Sequence, residues 1–164
     1  MEKNIFIHET SIVSDDANIG ENGSIWHFSH IRENVTIGNN VTIGQNVYID
    51  KDVVIGDNCK IQNNVSIYKG VTIGDNVFIG PSVVFTNDLY PDARRWTEEN
   101  IVSTQVMNGV SIGANSTIIC GIVLYEGCLI GAGSVVTNDI QSGKIAYGNP
   151  AKEIKNYNPS NVSF

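Results

Sequence analysis

Basic residues are scarce in this chain, and they form no run or stripe. Lys and Arg number 10 against 17 Asp and Glu, which gives a formal charge of −7 at pH 7. Nucleic acids and anionic membrane surfaces attract proteins through clustered basic side chains. The charge pattern therefore argues against nucleic acid or a membrane as the main partner.

Long apolar runs are missing too. The opening residues, MEKNIFIHET, lack the apolar stretch of a signal peptide, and no later segment reaches the length that crosses a bilayer. The three cysteines, Cys59, Cys120 and Cys128, have no CxxC or His-paired spacing, so we expect small core residues and no bound metal. These features predict a cytoplasmic protein.

Helical periodicity is also absent, and a six-residue period stands in its place. An apolar residue recurs at every sixth position from Ile7 to Phe85, with Gly, Asn and Asp in many of the slots between. Six residues make one short strand and one tight turn, and Gly and Asn tolerate the positive φ of such turns. Three units close a triangular coil, so the repeat predicts an all-β parallel β-helix of about seven coils.

The six-residue frame breaks once. It stops after Phe85 and resumes at Val106, a step that is not a multiple of six. Residues 86–105 are therefore predicted to leave the coil as an excursion. A long loop inside a solenoid usually has a function.

Two units follow from this pattern. Residues 1–143 are predicted to form the β-helix with its excursion, and residues 144–164 a C-terminal tail. Within the tail, a turn at residues 148–150 is expected to be followed by a short helix.

Some outward positions depart from the Gly and Asn of a plain scaffold. Eighteen-residue spacing projects Trp26, His27, Gln62, Asn63 and Tyr68 outward, where exposed aromatic and amide groups indicate a contact surface. Packing between subunits explains Trp26 as well as ligand binding does. A ligand role is the better interpretation of Asn63.

Two pairs of small residues lie one coil apart in the later repeats. Gly113–Ala114 and Gly131–Ala132 are separated by eighteen residues, so they stack. Small residues there would let an extended ligand lie close to the backbone and meet its N–H groups. Ordinary repeat turns explain the same residues equally well.

Six strings resemble one group of the hexapeptide-repeat acyltransferases, the bacterial nucleotide-sugar N-acetyltransferases. The strings are IWHFSHI (25–31), CKIQNNVSIYKGVTI (59–73), GPSVVFTND (80–88), GANSTIICG (113–121), LIGAGSVV (129–136) and YGNPAK (147–152). The second and third are the most specific. The most similar group acts on UDP- or dTDP-linked 3-amino sugars for O-antigen and other surface glycans, and its β-helix is left-handed.

The resemblance implies a homotrimer with three active sites, each between neighbouring subunits and covered by an excursion. Acetyl-CoA would lie beside Gly113, Ala114, Gly131 and Ala132, with its phosphates near Lys152. For the nucleotide sugar, the resemblance implies that Asn87 lies near the amine and Arg94 near the diphosphate. The other residues that it places close to this substrate are Gln62, Asn63, Tyr68, Trp26 and Asp88. The PDARRW string departs from the family pattern at Arg94.

Two mechanisms remain open. Many hexapeptide acetyltransferases supply a catalytic His from the excursion, but the histidines here are His8, His27 and His30. In the first mechanism the sugar amine arrives neutral, Asn87 orients it, and positioning supplies most of the catalysis. In the second, His27 is the general base. We favour the first.

Other functions on the same fold are weaker candidates. A hydroxyl acceptor needs a stronger base than an amine does, and no His lies in the excursion. A γ-class carbonic anhydrase holds zinc with three His across a subunit boundary, whereas no His follows residue 30 here. A non-catalytic trimeric scaffold remains a candidate from a separate class.

Overall fold

The computed structural model describes residues 4–157, which wind into a three-sided solenoid of parallel strands. Each strand pairs in register with strands one coil away: Ile25 lies between Ile7 and Ile43. The solenoid has about eight turns and is consistent with left-handed winding. The predicted all-β parallel β-helix is confirmed, with about one turn more than the sequence indicated.

Within residues 4–157, twenty-two strands, numbered in chain order, form three sheets. Sheet A contains β1 (Phe6–Ile7), β4 (Ser24–Ile25), β7 (Thr42–Ile43), β10 (Lys60–Ile61), β13 (Phe78–Ile79), β16 (Ser111–Ile112), β19 (Leu129–Ile130), β21 (Lys144–Gly148) and β22 (Ala151–Asn156). Sheet B contains β2 (Ile12–Val13), β5 (His30–Ile31), β8 (Tyr48–Ile49), β11 (Ser66–Ile67), β14 (Val84–Phe85), β17 (Thr117–Ile118) and β20 (Val135–Val136). Sheet C contains β3 (Asn18–Ile19), β6 (Thr36–Ile37), β9 (Val54–Ile55), β12 (Val71–Ile73), β15 (Thr104–Val106) and β18 (Val123–Leu124).

The recurring apolar residues fill one continuous core. In sheet A, for example, Ile43, Ile61 and Ile79 are fully buried and stack one coil apart. At the corners the chain turns through left-handed backbone conformations, as at Asn40 and Asn58, with φ of 57° and 58°. Asn adopts this conformation at lower cost than most residues. The period of six thus follows from one inward residue and one tight turn per side.

The excursion leaves the coil after β14 and rejoins it at β15. Residues 86–103 lie outside the strands and include a 3-10 turn at Glu98–Asn100, whereas Thr104 and Gln105 already belong to β15. Asn87 O accepts a hydrogen bond from Val102 N at 2.9 Å, which closes the neck of the loop. The excursion therefore begins where it was predicted and ends two residues earlier.

The expected short helix in the tail is wrong. β21 extends sheet A beside β19, and β22 returns antiparallel to it, so that Ala146 and Ala151 are buried. Ala, Lys and Glu are good helix formers, but intrinsic propensity has a weak influence on structure, and pairing with the last coil overrides it. The remainder of the predicted tail, from residue 158, lies outside the described residues. Within residues 4–157, no helix has the length and apolar character needed to span a membrane.

Candidate active site

The corners of successive coils stack into three edges that run along the solenoid. The AB edge, between sheets A and B, comprises residues 8–11, 26–29, 44–47, 62–65, 80–83, 113–116 and 131–134. The BC edge comprises residues 14–17, 32–35, 50–53, 68–70, 119–122 and 137–139, together with the excursion. The CA edge comprises residues 20–23, 38–41, 56–59, 74–77, 107–110, 125–128 and 141–143.

The predicted site residues divide between the two edges that border sheet B. The AB edge holds the first group: Trp26, His27, Gln62, Asn63, Gly113, Ala114, Gly131 and Ala132. The BC edge and its excursion hold the second: Tyr68, Asn87, Asp88 and Arg94. One sheet width, on the order of 15 Å, separates the two groups within one chain. Sequence reasoning placed them in one site, and a single subunit does not bring them together.

The first group does converge. Trp26, His27, Gln62 and Asn63 line one cleft of about 390 Å³ on the AB edge, together with Gln45 and three neighbours from sheet A and the edge. Amide side chains supply most of its polar groups, and no carboxylate or cation is among these lining residues. Such a surface suits a neutral polar ligand with an aromatic or apolar part.

Asn63 has a structural bond in addition to its place in the cleft. Its Oδ1 accepts the backbone N–H of Gln45 at 2.9 Å, one coil earlier. Its amide NH₂ group donates to no other part of residues 4–157. Asn63 can therefore offer a ligand hydrogen-bond donors, while its oxygen holds the corner together.

Stacked rings fix the position of His27. Its imidazole lies on that of His8 with ring centroids 3.5 Å apart, and His8 Nδ1 is 3.0 Å from Thr10 Oγ1. Trp26 packs against Phe6 at 5.1 Å between centroids and remains 43% exposed. The mouth of the cleft is therefore built from rings with defined positions and one open indole face.

Farther along the AB edge, two backbone N–H groups are uncovered. A Cβ at Gly80 would lie 2.7 Å from Ala114 N, and one at Gly113 would lie 2.4 Å from Ala132 N. Only glycine at these two positions leaves the N–H groups open to a ligand. Neither Ala114 N nor Ala132 N donates a hydrogen bond within the part of the chain that the structure describes.

The corresponding N–H groups at the first four corners of the CA edge are paired. Glu21 N, Asn39 N, Asp57 N and Asp75 N each donate to a side-chain oxygen one coil later, at 2.6–2.9 Å. Alanine at position 132 provides no such oxygen for Ala114 N. The AB edge thus keeps open the kind of donor that the first four corners of the CA edge satisfy internally.

Lys152 lies beyond these donors. In the β21–β22 hairpin it is the cross-strand partner of Tyr147, and β21 stacks directly on β19, which precedes Gly131. Both Tyr147 and Lys152 are exposed. This end of the AB edge therefore offers one cation and one aromatic ring next to the uncovered N–H groups.

At the BC edge, Asn87 stands at the base of the excursion. Its main-chain oxygen accepts a hydrogen bond from Val102 N. The Oγ1 of the preceding residue, Thr86, accepts a hydrogen bond from Cys120 N at 2.9 Å. The Asn87 side chain is half-buried and has no hydrogen-bond partner among residues 4–157. Tyr68 lies one coil earlier, half-exposed, with its ring 5.6 Å from that of Tyr48.

Arginine side chains in the excursion are already paired. The Asp92 carboxylate accepts hydrogen bonds from Arg94 Nε at 3.1 Å and from Arg94 Nη2 at 3.0 Å. It accepts a third from Arg95 Nε at 3.0 Å. Hydrogen bonds from Arg94 hold the pKa of Asp92 below its usual range. The Arg94 fork predicted to bind a diphosphate is therefore filled by Asp92 in this conformation.

Sequence reasoning passed over a group of charges beside Tyr68. Glu98 of the excursion pairs with both Lys51 and Lys69, and Lys69 also meets Asp52 at 3.0 Å. Both lysines stand in the same outward column as Asn87, so eighteen-residue spacing alone could have singled them out. Among the described residues, no group of His, Cys, Asp or Glu could hold a metal ion.

Comparison with known families agrees with this architecture. Residues 16–51 and 52–87 match the bacterial transferase hexapeptide (six repeats) family, and residues 108–138 match the hexapeptide repeat of succinyl-transferase. Together these segments cover more than half of the chain. The chain belongs to the hexapeptide-repeat transferase family.

Individual relatives are consistent with this assignment. A segment of 59 residues is 52% identical to dTDP-3-amino-3,6-dideoxy-α-D-galactopyranose 3-N-acetyltransferase of Aneurinibacillus thermoaerophilus, covering 36% of this chain and 30% of that protein. A hexapeptide-repeat acetyltransferase of Vibrio cholerae, solved with acetyl coenzyme A, has a TM-score of 0.64 at 28% identity, over 74% of this chain and 70% of that one. Galactoside acetyltransferase with coenzyme A has a TM-score of 0.66 at 29% identity, over 77% and 66% of the two chains.

Proposed function

We propose that this chain is an N-acetyltransferase that moves acetyl from acetyl-CoA to the amino group of a nucleotide-linked sugar, in the first place a UDP- or dTDP-linked 3-amino sugar. The observation that carries the proposal is the pair of uncovered N–H groups at Ala114 and Ala132, on the same edge as a cleft lined by amides. A thioester carbonyl that becomes an oxyanion needs such donors. The product would serve O-antigen or other surface-glycan synthesis.

The relatives support the two substrates separately. Two structures, 28% and 29% identical to this chain over the aligned residues, hold acetyl coenzyme A or coenzyme A, which supports the donor. The 52% identical segment belongs to an enzyme named for a dTDP-3-amino sugar, which supports the acceptor. Because that segment spans 30% of the relative, the acceptor is proposed as a class.

The working enzyme is proposed to be a homotrimer with sheet B of each subunit facing the threefold axis. Both edges that hold site residues border sheet B, and the CA edge holds none of them. In a closed threefold ring with sheet B inward, the AB edge of one subunit meets the BC edge of the next. That arrangement brings the cleft and the uncovered N–H groups to face a neighbour's Asn87 and excursion.

The chemistry needs little from the side chains. The neutral sugar amine attacks the thioester carbonyl, a C–N bond forms, the C–S bond breaks, and the amine proton passes to the departing thiolate. Asn87, with a side chain free of partners among residues 4–157, would orient the amine. Ala114 N–H would stabilise the oxyanion, and Ala132 N–H would hold the extended arm of acetyl-CoA.

His27 is the alternative proton acceptor. It lines the cleft, and stacking on His8 fixes its ring there. We favour a role for His27 in shaping the sugar-binding cleft. Gln62 and Asn63, which are proposed to contact the sugar, lie two coils from His27, roughly 10 Å. Replacement of His27 separates the two mechanisms, as described below.

A substrate panel tests the proposal. The protein is incubated with acetyl-CoA and 3- and 4-amino nucleotide sugars, and the products are analysed by mass spectrometry. We expect a gain of one acetyl group on a 3-amino sugar. No gain on any amino sugar, together with transfer to another small amine or alcohol, would reassign the acceptor.

A thermal shift with acetyl-CoA separates an enzyme from a scaffold. A donor that binds the folded state raises Tm. We expect a rise that grows with acetyl-CoA concentration. A non-catalytic scaffold would show no shift at any concentration.

A further inference from the structure

Basic side chains of this acidic protein are concentrated in two places. Five of those described lie on the BC edge and its excursion: Arg32, Lys51, Lys69, Arg94 and Arg95. Three lie on the C-terminal hairpin: Lys144, Lys152 and Lys155. Lys60 stands apart on the outer face of sheet A. In a protein of net charge −7, most of the described cations therefore lie at these two places.

The five cations of the BC edge differ in what holds them. Arg32 is paired with Asp50 and Glu33 of the scaffold, and both excursion arginines are paired with Asp92. Lys69 is paired with Asp52 of the scaffold at 3.0 Å, and Lys51 and Lys69 share one carboxylate of the excursion, Glu98. These two lysines can lose that partner through a movement of the loop alone.

Position along the BC edge links the lysine pair to Asn87. Lys51, Lys69 and Asn87 are eighteen residues apart, so they occupy the same corner of three consecutive coils. Lys69 is roughly 5 Å and Lys51 roughly 10 Å from Asn87 along the edge. In a 3-amino nucleotide sugar, the amine at C3 and the diphosphate at C1 are two carbons apart on one sugar ring, so the nearer phosphate lies roughly one coil spacing from the amine.

We propose that Lys51 and Lys69 form the diphosphate-binding site for the nucleotide sugar, and that Glu98 occupies this site until the substrate displaces it. The inference rests on the proposed function for the identity of the ligand. Two ammonium groups one coil apart can each hold oxygens of a diphosphate. Arg94 is set aside for this role because its partner Asp92 lies two residues away in the same loop, so a movement of the loop does not separate the two.

Charge and exposure favour the exchange. The Glu98 side chain is 55% exposed, and exposed ion pairs of this kind contribute little to stability. A diphosphate brings more negative charge than one carboxylate and keeps both lysines paired. Hydrogen bonds from Lys51 and then Lys69 hold the pKa of Glu98 below its usual range, so the resident counter-ion is charged at neutral pH.

Displacement would also move the excursion. Glu98 begins the 3-10 turn, and the same segment returns to the neck at Val102, which bonds to Asn87. Binding of the diphosphate therefore releases one anchor of the loop next to the amine-orienting residue. Glu98 is a positioning residue in this scheme, and the two lysines contact the substrate.

Binding of dTDP and UDP to the trimeric protein tests the inference by calorimetry at low and moderate salt. Lys51→Gln and Lys69→Gln should each weaken binding at least fivefold and flatten its salt dependence. Glu98→Gln should tighten binding severalfold, because it removes the competing charge. Lys60→Gln, on another face, is the matched control and should bind like the wild type. Tm and oligomeric state confirm that each variant is folded.

Each result decides between the claims. Unchanged affinity in both lysine variants, or no binding of dTDP or UDP by the wild type, overturns the diphosphate site. Weaker binding by Glu98→Gln overturns the role of Glu98 as a competitor. Binding that depends on both lysines without acetyl transfer to any amino sugar would leave the site standing and defeat the proposed function. Acetyl transfer to an amino sugar that is unaffected in both lysine variants would support the proposed function and overturn the diphosphate site.

Discussion

The AB and CA edges are built from the same hexapeptide turn, yet they treat their backbone donors differently. On the CA edge an Asn or Asp oxygen accepts the corner N–H of the coil before it, as Asp57 does for Asn39 at 2.6 Å. On the AB edge this pattern persists only at Asn63, and Ala114 and Ala132 break it. The solenoid pairs these donors at the first four corners of the CA edge and leaves donors for a ligand in the later coils of the AB edge.

The difference shows how a repeat protein acquires a site. The fold tolerates an unpaired corner N–H because the strands on either side stay in register. A turn without its side-chain acceptor therefore costs little stability and yields a fixed donor. Four substitutions test this difference between the edges and the roles assigned to the site residues.

The largest effect is expected when the AB edge is made to resemble the CA edge. In Ala132→Asn, the new Oδ1 would accept Ala114 N–H as Asn63 accepts that of Gln45. Loss of an oxyanion donor and crowding of the acetyl-CoA path should lower kcat/KM for acetyl-CoA on the order of 100-fold, with Tm unchanged or raised. Ala132→Ser, with a shorter side chain, is the control and should lose far less. Wild-type kinetics in Ala132→Asn would refute the role of these donors.

Asn87→Ala comes next. Removal of the group proposed to orient the amine should lower kcat/KM for the amino sugar at least about tenfold. The affinity for acetyl-CoA, measured by thermal shift, should stay the same. Unchanged activity would show that Asn87 does not orient the acceptor.

His27→Asn is expected to have a smaller effect. If His27 shapes the cleft, the variant should lose about tenfold or less, mainly through a higher KM for the sugar. A loss above about 100-fold in kcat, with trimer and substrate binding intact, would instead assign His27 as the general base.

The smallest effect on activity is expected on the CA edge. Asp57→Ala removes the acceptor of Asn39 N and should lower the free energy of unfolding by about 1 kcal/mol, with kcat/KM unchanged. Glu21→Ala, whose side chain makes no hydrogen bond among residues 4–157, is the matched control. A loss of activity without a loss of stability in Asp57→Ala would mean that the CA edge also takes part in function.

The period of six predicted the fold because it encodes the same geometry in every repeat. Ile25, Ile43 and Ile61 could be placed in the core from spacing alone, and the break after Phe85 located the excursion. The hairpin at the end could not be foreseen in this way. No repeat describes it, and its strands form because the last coil leaves an edge to be paired.

Site residues were predicted unevenly for a related reason. Spacing placed Trp26, His27 and Asn63 on one edge, and the structure joins them in one cleft. Whether a given N–H is covered, or whether Arg94 is free, depends on partners that only coordinates show. The pairing of Lys51 with Glu98 joins residues far apart in the chain, and no periodicity relates them.

A subunit-mixing experiment tests most directly whether the AB edge of one subunit and the BC edge of the next form a single site. Ala132→Asn, defective on the AB edge, and Asn87→Ala, defective on the BC edge, are co-expressed so that mixed trimers form. Random assortment in a threefold ring leaves roughly a quarter of the sites with two intact edges, so we expect about that fraction of wild-type activity to return. If mass spectrometry shows mixed trimers and activity stays at the level of the separate variants, the site does not lie between subunits.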